Sequence, residues 1–122
     1  MPTVRIETNI PASTVPEGFI EELSALASKL IGKPEKWICI IICADTPMSL
    51  GGSREPCAFV NVSSIGKISP EENQKYTEGF TPLISEKLKI PADRFYLQYY
   101  CQDANDVGWN GQTFAQRMRS SS

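Results

Sequence analysis

The sequence predicts an α/β domain made of two βαβ repeats, a four-stranded sheet with two helices on one face. Three observations lead there. Apolar residues alternate at Val4 and Ile6, and again at Val60 and Val62, with the period of half-buried strands. Residues 19–30 and 76–88 instead carry apolar side chains at helical spacing. The order strand, helix, strand then occurs twice, and such units place parallel strands in one sheet through right-handed crossovers.

Residues 3–8 form the first predicted strand. Thr14-Val15-Pro16-Glu17 reads as a capping box with proline near the helix start. Phe19, Ile20, Leu23, Leu26, Ala27 and Leu30 then give one apolar face, and Gly32 and Pro34 stop the helix. Residues 37–43 are apolar on both faces and rich in isoleucine, as expected of a buried strand. Residues 57–62 read as the third strand. Ser69-Pro70-Glu71-Glu72 is a second capping box, followed by the stripe Tyr76, Phe80, Leu83, Ile84 and Leu88. Pro82 lies inside that stripe, where it removes a hydrogen bond at a cost of roughly 3 kcal/mol and predicts a kink. Ile90-Pro91 ends the helix, and residues 95–100 give the last strand.

Two helices on one face leave the other face bare. The alternation at Val4, Ile6, Val60 and Val62 suggests apolar surface on that bare side, so a second copy is expected to cover it. The domain is assigned to residues 1–115, and the polar segment 116–122, ending in three serines, is expected to be mobile.

Composition narrows the function. With 122 residues there is material for one core. Twelve basic and 14 acidic residues give a net charge of −2, which offers no field for a polyanion and argues against nucleic acid as a partner. The start lacks a basic segment followed by an apolar run, and the longest apolar stretch, residues 37–44, is too short to span a bilayer. Cytoplasmic synthesis without membrane insertion is expected. The absence of histidine removes Ser-His and Cys-His nucleophiles. Cys39, Cys43, Cys57 and Cys101 lack paired ligand spacing, so free thiols are expected and neither metal nor cofactor is implied.

Pro2 is the candidate for chemistry, beside the plainer reading that proline at position two is common and means nothing. Loss of Met1 exposes its secondary amine. A free α-amino group titrates at about 7.7–8.0, and burial near another cation lowers that value. An amine left neutral near physiological pH removes a proton next to a carbonyl without a cofactor.

Pro2, Thr8-Asn9, Val15-Pro16-Glu17-Gly18-Phe19, Gly32-Lys33-Pro34, Gly51-Gly52-Ser53, Glu55-Pro56-Cys57-Ala58, Ser64-Ile65-Gly66-Lys67-Ile68 and Val107-Gly108-Trp109-Asn110 are similar, in order and spacing, to the macrophage migration inhibitory factor family. The resemblance runs from residue 1 to about residue 115. It implies a tautomerase fold assembled as a homotrimer, with three sites at subunit interfaces and no cofactor. It also implies keto–enol tautomerisation of phenylpyruvate-like or dopachrome-like enol and keto acids, with Pro2 as the base. Lys33 would hold the substrate carboxylate, and the backbone at Ser64 and Ile65 would touch the substrate. Tyr96 would arrive from the neighbouring subunit with Gln98 beside it, and Trp37, Val107, Trp109 and Phe114 would form apolar walls.

The same resemblance implies a second role: a signalling protein, secreted by a leaderless route, that binds a cell-surface receptor with catalysis vestigial. Taken alone, the residues admit plainer readings. Lys33 could complement a helix dipole, Tyr96, Trp109 and Phe114 could be packing, and Ser64 could serve a turn. The chain also departs from the family pattern. Gln98 replaces an asparagine, Trp37 a tyrosine, Ser63 a histidine and Ala12 an arginine, and Cys57-Ala58-Phe59-Val60 lacks the second cysteine of a Cys-x-x-Cys.

Overall fold

The computed structural model describes residues 1–120. In chain order its elements are β1 (Thr3–Thr8), α1 (Phe19–Ile31), β2 (Cys39–Cys43), β3 (Ala58–Ser64), α2 (Pro70–Leu88) and β4 (Phe95–Cys101). A short hairpin, β5 (Gly108–Trp109) and β6 (Gln112–Thr113), leads into α3 (Phe114–Ser120). The sheet order is β2-β1-β3-β4. Strand β1 runs parallel to β2, β3 runs parallel to β4, and the two repeats join through the antiparallel pair β1–β3. Both βαβ units therefore form as the sequence predicts.

The core lies between the sheet and the two long helices. Helix α1 buries Phe19, Leu23, Ala27 and Ile31, and α2 buries Tyr76, Phe80, Ile84 and Leu88, one residue per turn in each case. They pack on Val4, Ile6, Val60 and Val62, all fully buried. Each large apolar side chain so buried contributes about 1.5–3 kcal/mol. The helices approach closely at Gly79, where a methyl group would sit 2.7 Å from both methyls of Leu30.

That arrangement corrects one inference. Val4, Ile6, Val60 and Val62 face the helices and not the bare side of the sheet. The open face instead carries Thr3, Arg5, Asn61, Ser63, Gln98 and Tyr100 around a shallow cavity of about 320 Å³. Those four residues therefore give no reason for a covering subunit. Strand β2 is corrected as well. It begins at Cys39, after a 3-10 turn over Glu35–Trp37, and lies at the sheet edge with Ile40, Ile41, Ile42 and Cys43 only half-buried.

The two capping boxes have different fates. Ser69 forms its box: its hydroxyl accepts from the Glu72 amide at 3.2 Å and donates to the Glu72 carboxylate at 3.2 Å, with Pro70 in the first turn. The Thr14 box does not form. Its hydroxyl donates to the Pro11 carbonyl at 2.8 Å within a separate 3-10 turn, and α1 starts at Phe19 behind Gly18, whose φ of 89° belongs to the left-handed region. Helix α2 runs its 19 residues across Pro82 without a break. Pro82 and Glu78 are both on the exposed side, so the carbonyl that loses its donor can bond to water.

Tertiary hydrogen bonds hold the connections. Thr8, fully buried, donates to the Cys57 carbonyl at 2.8 Å and accepts from the Ile10 amide at 3.3 Å. The Arg94 guanidinium donates to the carbonyls of Leu50, Ser53 and Glu55 at 2.7, 3.1 and 2.8 Å, pinning the long β2–β3 loop to the start of β4. The segment beyond residue 115, expected to be mobile, is helical as far as Ser120, and Ser121 and Ser122 lie outside the described residues. Among the described residues no helix is long and apolar enough to cross a membrane.

Candidate active site

The chain's N-terminus lies at the start of β1, where three elements converge. Pro2 is fully buried, and its carbonyl accepts the Cys39 amide at 2.9 Å, which ties the start of β1 to the start of β2. Helix α1 ends at Gly32 in the left-handed conformation, φ 77°, and this sharp exit points the chain back toward the sheet. Lys33 follows at once. Its ammonium donates to the Ile65 carbonyl at 2.6 Å, bridging the end of α1 to the end of β3.

Met1, Lys33, Pro34, Trp37, Ile65, Phe114, Arg117 and Met118 line a cleft of about 360 Å³ here. That volume lies in the range of small-molecule sites, about 300–1,000 Å³. Among the described residues no carboxylate lines it. The Met1 amine is lowered from 8.0 to about 6, first by burial, then by the positive charge and the hydrogen bond of Lys33. Lys33 is itself lowered, by burial above all and in part by Lys67, while its bond to the amine and the nearby Cys101 act in the opposite sense. Two basic nitrogens thus share one site, where Lys33 disfavours a proton on the amine and the amine's hydrogen bond favours one on Lys33.

Aromatic rings form the wall. Trp37 meets Trp109 edge-on at 4.8 Å and Phe114 at 5.7 Å, and Trp109 stacks on Phe114 at 6.4 Å. The Phe114 amide donates to the Val107 carbonyl at 2.9 Å, which folds the β5–β6 hairpin over this cluster. The Arg117 guanidinium lies 5.2 Å from the Trp37 ring and 5.5 Å from the Trp109 ring.

Of the residues singled out in the sequence, Lys33, Trp37, Ile65 and Phe114 line the cleft, and Trp109 and Val107 join through the ring cluster and the hairpin. Ser64 is fully buried with an unpartnered hydroxyl. The β1–β3 register pairs Thr3 with Ser63, so one further step sets Ser64 across from Pro2. Tyr96 and Gln98 are not in the cleft of their own chain. They stand on the open face of edge strand β4, with Tyr96 63% exposed and Gln98 on the separate polar cavity. The sequence reading missed Pro34, Arg117 and Met118. Asp45 accepts the backbone amide of Ala12 at 3.0 Å.

A doubled βαβ domain with its N-terminal amine set beside a lysine in an aromatic cleft defines a class of α/β proteins built from two such repeats. The comparisons name the family. The model of the macrophage migration inhibitory factor (MIF) family matches residues 1–115. Macrophage migration inhibitory factor of Mus musculus is 41% identical over 115 residues, covering 94% of this chain and all of that protein, and the Xenopus laevis protein is 42% identical over the same spans. The solved structure of the Trichinella spiralis macrophage migration inhibitory factor superposes with a TM-score of 0.89 at 36% identity, over 91% of this chain and 98% of that one. The chain belongs to the macrophage migration inhibitory factor family, and thereby to the MIF-type cytokine and tautomerase superfamily.

Proposed function

We propose that this protein, once Met1 is removed, is a cofactor-free keto–enol tautomerase of phenylpyruvate-type and dopachrome-type acids, with the Pro2 amine as its base. One observation carries the reading: a chain-terminal amine in this cleft is lowered to about 6 beside the Lys33 ammonium. Trimming moves the amine one residue further into the buried start of β1.

The chemistry follows from that arrangement. The neutral amine takes a proton from the carbon next to the keto group, and the C–H electron pair shifts to form the enol or enolate. The resulting ammonium returns the proton, at oxygen or carbon according to direction. Lys33 pairs with the substrate carboxylate, so one fixed cation both anchors the acid and disfavours the charged amine. Trp37, Phe114 and Trp109 hold the substrate ring, with the backbone of Ser64 and Ile65 and the side chain of Val107 around it; much of the catalysis is then positioning.

Assembly as a homotrimer belongs to the same proposal. Edge strand β2 carries apolar side chains on both faces that one chain leaves half-exposed, and Tyr96 and Tyr100 stand exposed on the other edge strand. A neighbouring copy would cover these edges and bring Tyr96 and Gln98 to the cleft of the next subunit. The test is phenylpyruvate enol–keto exchange by protein whose loss of Met1 is verified by mass spectrometry, with Pro2→Gly alongside. Activity that collapses in the variant supports the base; equal activity in both, or none from fully trimmed trimer, rejects it.

Family membership favours a second, compatible reading, that of a signalling protein, released by a leaderless route, with a cell-surface receptor as partner. Receptor signalling that survives intact in Pro2→Gly would separate that role from turnover; signalling lost together with turnover would tie it to the cleft.

A further inference from the structure

The cleft holds a second fixed cation that the tautomerase reading does not use. Arg117 comes from α3, beyond residue 115, where the family match ends. It lines the same cleft as Lys33, and no acidic residue faces it there. Among the described residues Arg117 has no carboxylate partner; its contacts are the faces of Trp37 and Trp109. A guanidinium stacked on rings uses its π face and leaves the N–H fork along its edge available for an anion.

Charge and shape then limit the ligand. Lys33 lies at the amine end of the cleft, bonded to the Ile65 carbonyl, and Arg117 lies over the aromatic wall. A monocarboxylate with an apolar ring satisfies only the first. The geometry points to Arg117 as a specificity-determining residue that selects keto acids carrying a second anionic group at the end remote from the reacting carbonyl. The inference rests on the tautomerase reading of this cleft and extends it to a substrate class, the dianionic keto acids. It also gives the segment past residue 115 a purpose, which is to carry a planar cation to a wall of rings already in place.

The experiment compares phenylpyruvate, with one carboxylate, and 4-carboxyphenylpyruvate, with two, on wild type, Arg117→Gln and Arg117→Lys. The ratio of kcat/KM for the diacid over the monoacid is expected to fall about tenfold in Arg117→Gln, mostly through KM, as for one charge-assisted contact at a partly exposed site. Arg117→Lys keeps a point charge and should fall between the two. A loss of ring packing alone would affect both acids alike, so an unchanged ratio overturns the inference. A chain ended after Ala115 repeats the test without α3 beyond that residue, and it must show the same fall.

If wild type whose loss of Met1 is verified by mass spectrometry turns over neither acid, the tautomerase reading fails, and the inference is judged on binding followed by the fluorescence of Trp37 and Trp109. Tighter binding of terephthalate than of benzoate, lost in Arg117→Gln, then supports Arg117 as the anion site. Equal binding of the two overturns it.

Discussion

Replacing Lys33 by glutamine tests the electrostatics of the cleft directly. In the described chain the N-terminal amine sits at about 6 against an ordinary 8.0, so roughly nine-tenths of it is neutral at pH 7, where an ordinary amine would be about one-tenth neutral. Burial is the larger cause and survives the substitution; the charge and hydrogen bond of Lys33 do not. The amine should therefore rise toward 8.0 without reaching it. At pH 7 the neutral fraction falls from roughly nine-tenths toward the one-tenth of an ordinary amine, while at pH 9 the two proteins are nearly equal. Isotope-edited NMR titration of the N-terminal residue reads this with Met1 present. In the trimmed protein the same shift should move the acidic limb of kcat/KM to higher pH, since only the neutral amine is a base. Raised salt should shrink the difference between the two proteins, because the pair is only partly buried. A parent amine titrating near 8.0, or no movement in Lys33→Gln, would refute the reasoning.

Thr8→Val and Ser64→Ala should behave oppositely although both hydroxyls are fully buried. The first leaves the Cys57 carbonyl and Ile10 amide without their partner and should cost about 1–3 kcal/mol in urea unfolding; the second removes an unpaired group and should be nearly neutral or stabilising. Phe80→Ala, at the centre of the helix–sheet core, should lose about 3–5 kcal/mol by the same measurement. Trp37→Ala removes two ring contacts and the support of Arg117, so a loss of about 2 kcal/mol is expected, together with a quenched near-ultraviolet circular dichroism signal from Trp109.

Much of the architecture was legible because it rests on local periodicity. The helical stripes at Phe19–Ile31 and Pro70–Leu88 and the alternation in β1 and β3 are properties of short windows. What failed depends on distant residues. That β2 is an edge strand follows from its pairing with β1 alone, which no window of residues 37–43 contains. Which face Val4 and Val60 present depends on the side that the crossovers take. Capping signals were equivocal in an instructive way. The box at Thr14 is pre-empted because Pro16 and the left-handed Gly18 delay α1 to Phe19. Thr113-Phe114-Ala115-Gln116 carries the same Thr-x-x-Gln signature and does act, with the Thr113 hydroxyl accepting the Gln116 amide at 3.0 Å. Reading that third box would have turned the supposed tail into α3 and exposed Arg117 as a candidate. The wall of Trp37, Trp109 and Phe114 was found through resemblance, and these residues do meet. Tyr96 and Gln98 illustrate the remaining limit, since one chain by itself does not bring them to the cleft.

The burial of Pro2 has a consequence for how activity is counted. While Met1 is attached, the Pro2 nitrogen is a tertiary amide with no basic lone pair, whatever the pH or temperature. Its conversion to an amine is a hydrolysis made once in the life of each molecule and never reversed by refolding. On the proposed chemistry every chain is then either fully competent or silent, and a preparation behaves as a mixture of two species with no intermediate state. Turnover plotted against the trimmed fraction, measured by mass, should be a straight line through the origin, whose slope is a property of the fold and along which processing alone sets the position of each preparation.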